Sequence, residues 1–456
     1  MDNANQLSLT HQMAQMIVST RFDDFSEENV KVAKRFLLDT LAVSWAGSDA
    51  PGCQEAYALS VSEGGRADSH AWGYGGRLPA MSAAFMNGMS AAALDYDGIG
   101  SGASVHVNIT VLPAAMAMAQ RLGANGKDFL SAYIIGADLT YRLALAADSP
   151  NEGFHYVPLY GLFGAAAAAS RLLGLTVMQT RHALGIAFMQ GCGTQQANID
   201  PSISKRMMSG FAARAGVHAA LLAKLGLTGP EKAIEGRFGL FNMYQSGKAE
   251  TILEALGERF DNVQSSIKLY PSCGANHTTI AGMLDLIQIH DLSPQEVLSV
   301  EVTLPPYAAR LVGGLYDPTD NPQVAAQFNV RYTIACLLVR RRLGLAEIQP
   351  SAARDPLINA EVSKISVKVD ETLTTNRGPI ELRLQTRTKG TLYRRVEHVP
   401  GSLQAPVSEE TLEQKIVDCF QWGAYPLDHE KIKTLRQRVQ NIQACDNMNL
   451  FFDSIM

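Results

Sequence analysis

The sequence predicts a mainly α protein with an inserted α+β domain: a large all-helical domain carrying a smaller α+β lid. Three observations carry that prediction. Apolar residues recur at helical spacing through residues 1–265, where strand-like alternation is scarce. Period-two alternation begins only after about residue 266, in Val300, Val302 and Leu304, in Ile365, Val367 and Val369, and in Ile380, Leu382 and Leu384. Helical spacing then returns over 407–422 and 428–442. A chain of 456 residues is too long for one ordinary core, so more than one domain is expected. The divisions are 1–266 for the helical domain, 267–400 for the lid, and 401–456 for helices that pack back on the first domain.

Taken in order, the helical half begins with 30–46, where Val32, Phe36, Leu37 and Leu41 fall at turn spacing. The pattern recurs over 111–122, 127–147, 163–174, 177–190 and 209–225. Gly47, Gly123, Gly174 and Gly226 follow apolar helical runs, as C-terminal caps do. Runs of Ala and Gly, above all Gly161 to Ser170, let helices approach closely. In the lid, helices are expected over 276–290 and 322–343, and Leu392 to Val396 pairs back across Lys389-Gly390. Pro400-Gly401 ends the lid.

Composition narrows the function. Charged residues make up 18% and the net charge is −5, which leaves no electrostatic footprint for nucleic acid or an anionic membrane. The N-terminus lacks the pattern of a signal peptide, and no stretch of about 18 residues reads as apolar enough to span a bilayer, 161–175 coming nearest. The six cysteines include no Cys-x-x-Cys pair and suit a reducing, cytoplasmic setting. Nucleotide-binding glycine motifs, the Gly-x-Ser-x-Gly elbow and metal-ligand clusters are missing, so no cofactor or metal is expected and side chains carry the chemistry.

The polar groups that interrupt this bland helical sequence are the candidates. Asp95, His106 and His155 lie at helix breaks, where titratable groups can line a shared cleft. Each also has a plainer reading, Asp95 as a cap and the histidines as satisfied core residues. Asp97 reads as a turn residue before Gly98. Lys205 and Arg206 precede a helix, an arrangement that suits an anion. Cys273 sits in the turn Pro271–Gly274 before a helix whose dipole lowers a thiol pKa, and Lys268 lies just upstream.

These segments together resemble the MmgE/PrpD family. The resemblance rests on Phe36 to Gly47, Phe85 to Gly88 running into Leu94 to Asp97, Ala132 to Gly136, Phe154-His155 before Gly164 to Gly174, Lys268 to Pro271, and Ala326 to Tyr332. It covers most of the chain in order. The family includes 2-methylcitrate dehydratase, cis-aconitate decarboxylase and iminodisuccinate epimerase. It implies a helical domain with an α+β lid, a homodimer and no cofactor. It also implies a small di- or tricarboxylate substrate, with catalytic Asp95, His106 and His155 and substrate-binding Lys205, Lys268 and Tyr332. The chain departs from the family's lyases at three places. Gly98-Ile99 follows Asp97 where an Asp-Thr pair is usual, Val107-Asn108 follows His106 where Pro-Ser is usual, and Cys273 replaces the decarboxylase's histidine.

A carbanion next to a carboxylate needs positive charge and a base, which Lys205, Arg206 and Lys268 with the histidines could supply. The departures favour an altered second proton-transfer group. The expected activity is therefore an epimerase of an iminodisuccinate-like dicarboxylic amino acid. His106, His155 and Cys273 would transfer protons, and Asp95 would orient a histidine. The alternatives are a hydro-lyase or decarboxylase of a tricarboxylate, and a non-catalytic polycarboxylate-binding protein.

Overall fold

The computed structural model of the chain describes residues 7–100, 102–103, 105–148, 153–200, 202–402 and 404–456. Two hydrophobic cores organise it. The larger spans residues between Leu9 and Ile267 and takes in Leu412, Ile416 and Phe420 from the helix Glu409–Phe420, and Ile432, Leu435 and Val439 from His429–Gln440. These residues recur every three or four positions, so each late helix buries one stripe against the early ones. The smaller core runs from Cys273 to Leu384.

The expected helices of the first half are observed as Glu27–Gly47, Asn108–Leu122, Gly126–Ala146, Tyr156–Leu172, Val177–Phe188 and Ser204–Lys224. Side chains of Ser26, Asn125 and Thr176 cap three of them by accepting from backbone N–H groups of the first turn. Gly123, Gly174 and Gly226 take the left-handed conformation that ends a helix. Gly47 does not; it stays helical, and a Cβ there would lie 2.0 Å from the Ser90 carbonyl oxygen. It is a packing contact rather than the cap that its position suggested. The helices Leu9–Ser19, Cys53–Ser62 and Ala80–Ala93 were not singled out by periodicity.

Small residues set the packing distance of the central helices. A Cβ on Gly164 would lie 2.0 Å from Thr140 Oγ1, and one on Gly216 would lie 2.5 Å from Ala165 Cβ. The helices Gly126–Ala146, Tyr156–Leu172 and Ser204–Lys224 therefore touch nearly backbone to backbone, which fixes their ends relative to one another. Contrary to the sequence reading, one helix, Gly126–Ala146, is long and apolar enough to cross a membrane, and 89% of its apolar window is buried inside the fold. Here it serves as a core helix.

The lid holds a four-stranded sheet in the order Ile365–Val369, Val297–Leu304, Ile380–Thr386, Thr391–Val396. The first pair is parallel and the others antiparallel. The helices His277–His290 and Val330–Arg340 cover its buried face. The single helix expected over 322–343 is two, Pro322–Gln327 and Val330–Arg340. The Asn329 side chain accepts from the backbone of Arg331 and Tyr332, so it starts a new helix and leaves Phe328 at the break.

Candidate active site

The helix Ala80–Ala93 ends just before Asp95, which turns the chain with φ 49°. Aspartate tolerates this left-handed conformation better than most residues. The turn leads to Ile99-Gly100, which pairs antiparallel with Ser265-Ser266. That two-residue bridge brings Lys268 beside Asp95. The Lys268 ammonium donates to Asp95 Oδ2 and to its backbone oxygen, both at 2.8 Å. Lys205, in the first turn of Ser204–Lys224, donates to Asp95 Oδ1 at 2.6 Å. Burial pushes the Asp95 carboxyl up, but Lys205, Lys268 and His106 outweigh it and hold the group well below the usual carboxylate range. An ammonium has three donors, so this clamp leaves two on Lys205 and one on Lys268.

His106 pairs with the other carboxylate of the turn. Its Nδ1 lies 2.6 Å from Asp97 Oδ2, and Asp97 is buried. With Nδ1–H donated to Asp97, the Nε2 lone pair is left for the cavity. The sequence reading gave Asp95 the task of orienting a histidine and made Asp97 a plain turn residue. In the structure Asp97 holds the histidine and Asp95 holds the lysines. Beneath the turn lies a second buried pair. Lys415, from a returning C-terminal helix, donates to Asp39 Oδ1 at 2.6 Å and to the Tyr96 backbone oxygen at 2.9 Å, and its ammonium lies 4.2 Å from the Tyr96 ring centroid. It thereby fixes the residue between the two aspartates.

His155 is the N-cap of Tyr156–Leu172, and its Nδ1 accepts from Val157 N–H at 3.3 Å. Burial, with Lys205 and His106 nearby, lowers its pKa to about 3, so the ring is neutral at physiological pH. A neutral imidazole whose Nδ1 accepts carries its proton on Nε2. The two histidines therefore present opposite faces, a lone pair from His106 and an N–H from His155.

Asp95, His106, His155, Lys205 and Cys273 line one cavity of about 70 Å³, together with Gln195, Gly274, Tyr307, Phe328 and Arg377. Lys268 lies just behind, through Asp95. Phe328 packs its ring 4.4 Å from the Lys205 ammonium. Sequence reasoning missed Tyr307, Phe328 and Arg377. Arg206 stands outside the cavity, donating to the Pro51 carbonyl at 2.9 Å and to Gln323 Oε1 at 3.1 Å. Tyr332 also stands outside. It is buried in the lid core, stacks on Tyr316 and donates to the Glu347 carbonyl. The Cys273 thiol is not activated as the helix start suggested. Burial and then Asp95 push its pKa up, so it keeps its proton. His277 is buried behind it with Nε2 3.2 Å from the Ser272 carbonyl, and burial lowers its pKa to about 3. Among the described residues no group of three His, Cys, Asp or Glu is placed to hold a metal ion.

Comparison with known proteins agrees with this architecture. Residues 11–252 match the model of the MmgE/PrpD N-terminal domain, and residues 270–441 match that of the C-terminal domain. The chain is similar to the cis-aconitate decarboxylase of Aspergillus terreus, with 28% identity over 389 residues, 81% of this chain and 79% of that protein. It is similar to the cis-aconitate decarboxylase of Homo sapiens, with 25% identity over 462 residues, 97% and 93% of the two chains. The cis-aconitate decarboxylase-like protein oryM of Aspergillus oryzae is 28% identical over 378 residues, 77% of each. The chain belongs to the MmgE/PrpD family.

Proposed function

We propose that the chain is a lyase of the decarboxylase type acting on a small tricarboxylate such as cis-aconitate, its own side chains carrying the proton. The names of its relatives favour this over the epimerase expected from the sequence. The observation that carries the reading is the pairing of two aspartates two residues apart. One clamps Lys205 and Lys268, and the other holds His106, all at one cavity.

In such a reaction a C–CO₂⁻ bond breaks, carbon dioxide leaves, and the electron pair passes to the adjoining carbon and its conjugated carboxylate. A proton then forms the new C–H bond. The remaining donors of Lys205 and the Nε2–H of His155 stabilise the charge as it spreads onto oxygen, with Lys268 adding positive charge from behind Asp95. The Nε2 lone pair of His106 takes a proton from solvent and passes it to carbon, while Asp97 holds the ring through Nδ1. Solvent resupplies the one proton consumed per turnover.

Incubating the protein with cis-aconitate and measuring released carbon dioxide tests the reading. Turnover that is lost in His106→Gln supports it, and no release from any tricarboxylate would overturn it. The Cys273 thiol supports epimerisation as a second reading, because a protonated group in the cavity can return a proton to carbon. In that case the substrate would keep its mass and change its handedness.

A further inference from the structure

We propose that Arg206 is a positioning residue for the proposed reaction: its bond to Gln323 ties the helical domain to the lid and thereby seats Phe328 over the Lys205 ammonium. The inference deepens the lyase reading and rests on its use of Lys205 to hold a substrate carboxylate.

Arg206 follows Lys205 in the first turn of Ser204–Lys224, and the two side chains serve different elements. Lys205 reaches Asp95. Arg206 donates from Nη1 to the Pro51 carbonyl at 2.9 Å, in the connection between Glu27–Gly47 and Cys53–Ser62. From Nη2 it donates to Gln323 Oε1 at 3.1 Å, on the lid helix Pro322–Gln327. Arg206 and Gln323 are both buried, so water competes little for either bond, and a charged donor makes the stronger kind of hydrogen bond. The planar fork lets one side chain hold two elements in fixed directions, which the point charge of an ammonium does not.

The lid helix carries that hold to the cavity. It is six residues long and ends at Gln327. The Gln327 carbonyl accepts from Cys273 N–H at 3.0 Å and from Ser272 Oγ at 2.8 Å, and its Nε2 lies 3.5 Å from the Ala93 carbonyl, just before Asp95. The next residue is Phe328, whose ring centroid lies 4.4 Å from the Lys205 ammonium. The path closes on itself: Arg206 grips the start of the helix, and its neighbour Lys205 meets the residue at the end. A ring over an ammonium attracts it and keeps water from that side, which strengthens what the remaining donors hold. Without the Gln323 acceptor the helix loses its hold on the other domain, Phe328 backs away, and a substrate carboxylate meets a wetter, weaker ammonium.

The test is calorimetric titration of the whole protein with tricarballylate, an unreactive tricarboxylate, in a double-mutant cycle. The change is made on the lid side, so that Arg206 keeps its Pro51 bond and Lys205 its helix. Gln323→Met and Phe328→Leu each weaken binding by about 3- to 30-fold, and the double variant stays within about 2-fold of Phe328→Leu alone, because the tether acts through the ring. Gln323→Glu, which keeps an acceptor for Arg206, stays within about 3-fold of the wild type. Losses that multiply, or no loss in Gln323→Met, would overturn the proposal, since a merely structural residue acts independently of the ring. A second readout needs no ligand and separates this inference from the lyase reading. In the free protein, Gln323→Met speeds alkylation of Cys273 by iodoacetamide, followed by peptide mass, by about 3- to 10-fold, because the Cys273 turn hangs on Gln327. Faster alkylation in a protein that binds no tricarballylate would sink the tricarboxylate reading and leave the tether standing, and unchanged alkylation would overturn the tether.

Discussion

The two walls of the cavity are built by different means. The helical wall places Asp95, His155 and Lys205 at the ends of helices whose spacing is set by Gly164, Gly210 and Gly216. Those groups are held by short charged hydrogen bonds and by a cap. The lid wall presents Cys273, Tyr307, Phe328 and Arg377 from a turn, the short helix Pro306–Val312, a helix break and an inter-strand segment around a separate core. The contrast teaches a division of labour. A close-packed frame suits groups that must hold a proton or a developing charge within fractions of an ångström, and turns suit groups that select what enters. On the proposed reading, changes to the helical wall lower kcat and changes to the lid wall raise KM.

The sharpest break of that comparison is His106→Gln. It should lower kcat by about 10²–10⁴-fold with little change in ligand affinity, measured by steady-state kinetics and titration. Asp97→Asn should lower kcat less, because His106 keeps a hydrogen-bond partner at Nδ1 but loses the carboxylate that holds it. An unchanged kcat would detach Asp97 from the chemistry. Lys415→Met leaves Asp39 buried without its cation and should cost about 3–5 kcal/mol of stability, read by denaturant unfolding. A loss of less than about 1 kcal/mol would show that the pair does not support the turn.

On the lid wall, Cys273→Ser should alter lyase turnover by less than about 3-fold. A loss of about 10²-fold or more would move proton transfer onto the lid and favour epimerisation. A further effect is on pH stability. Burial lowers the pKa of His155 and His277 to about 3 and that of His70 to about 4. Between the ordinary 6.5 and those values the unfolded chain binds protons that the folded chain refuses, so stability falls as pH falls through that window. Burial pushes Asp138 up to about 6, and Asp39 up as well, which acts in the opposite sense between those pKa values and 3.8. Three histidines against two aspartates leave a net loss, visible as a lower melting temperature at pH 4.5 than at pH 7.

The same division explains what the sequence revealed. Asp95, His106, His155 and Lys205 were legible because each breaks or borders an apolar helical run, and Lys268 because it lies just upstream of the turn Pro271–Gly274 between the two domains. The strands of the lid were legible from alternation, down to the turn at Lys389-Gly390. Arg377 and Phe328 sit between regular elements and Tyr307 starts a helix too short to show a periodicity, and only the tertiary fold brings them to the cavity. The partners within the acidic turn were hidden as well. Asp95 and Asp97 differ in facing by a single left-handed residue, and the bridge between Ile99-Gly100 and Ser265-Ser266 is too short to leave a pattern. Tyr332 misled because its segment matched a family motif. The Asn329 cap fixes the rotation of its helix and buries the ring in the lid core.

The most direct test of proton transfer at this cavity is turnover of cis-aconitate in deuterated water, with carbon dioxide and product mass followed together. The account predicts one solvent deuterium on carbon in the product for each carbon dioxide released, with both signals lost in His106→Gln. Deuterium entering an otherwise unchanged substrate without release of carbon dioxide would contradict it.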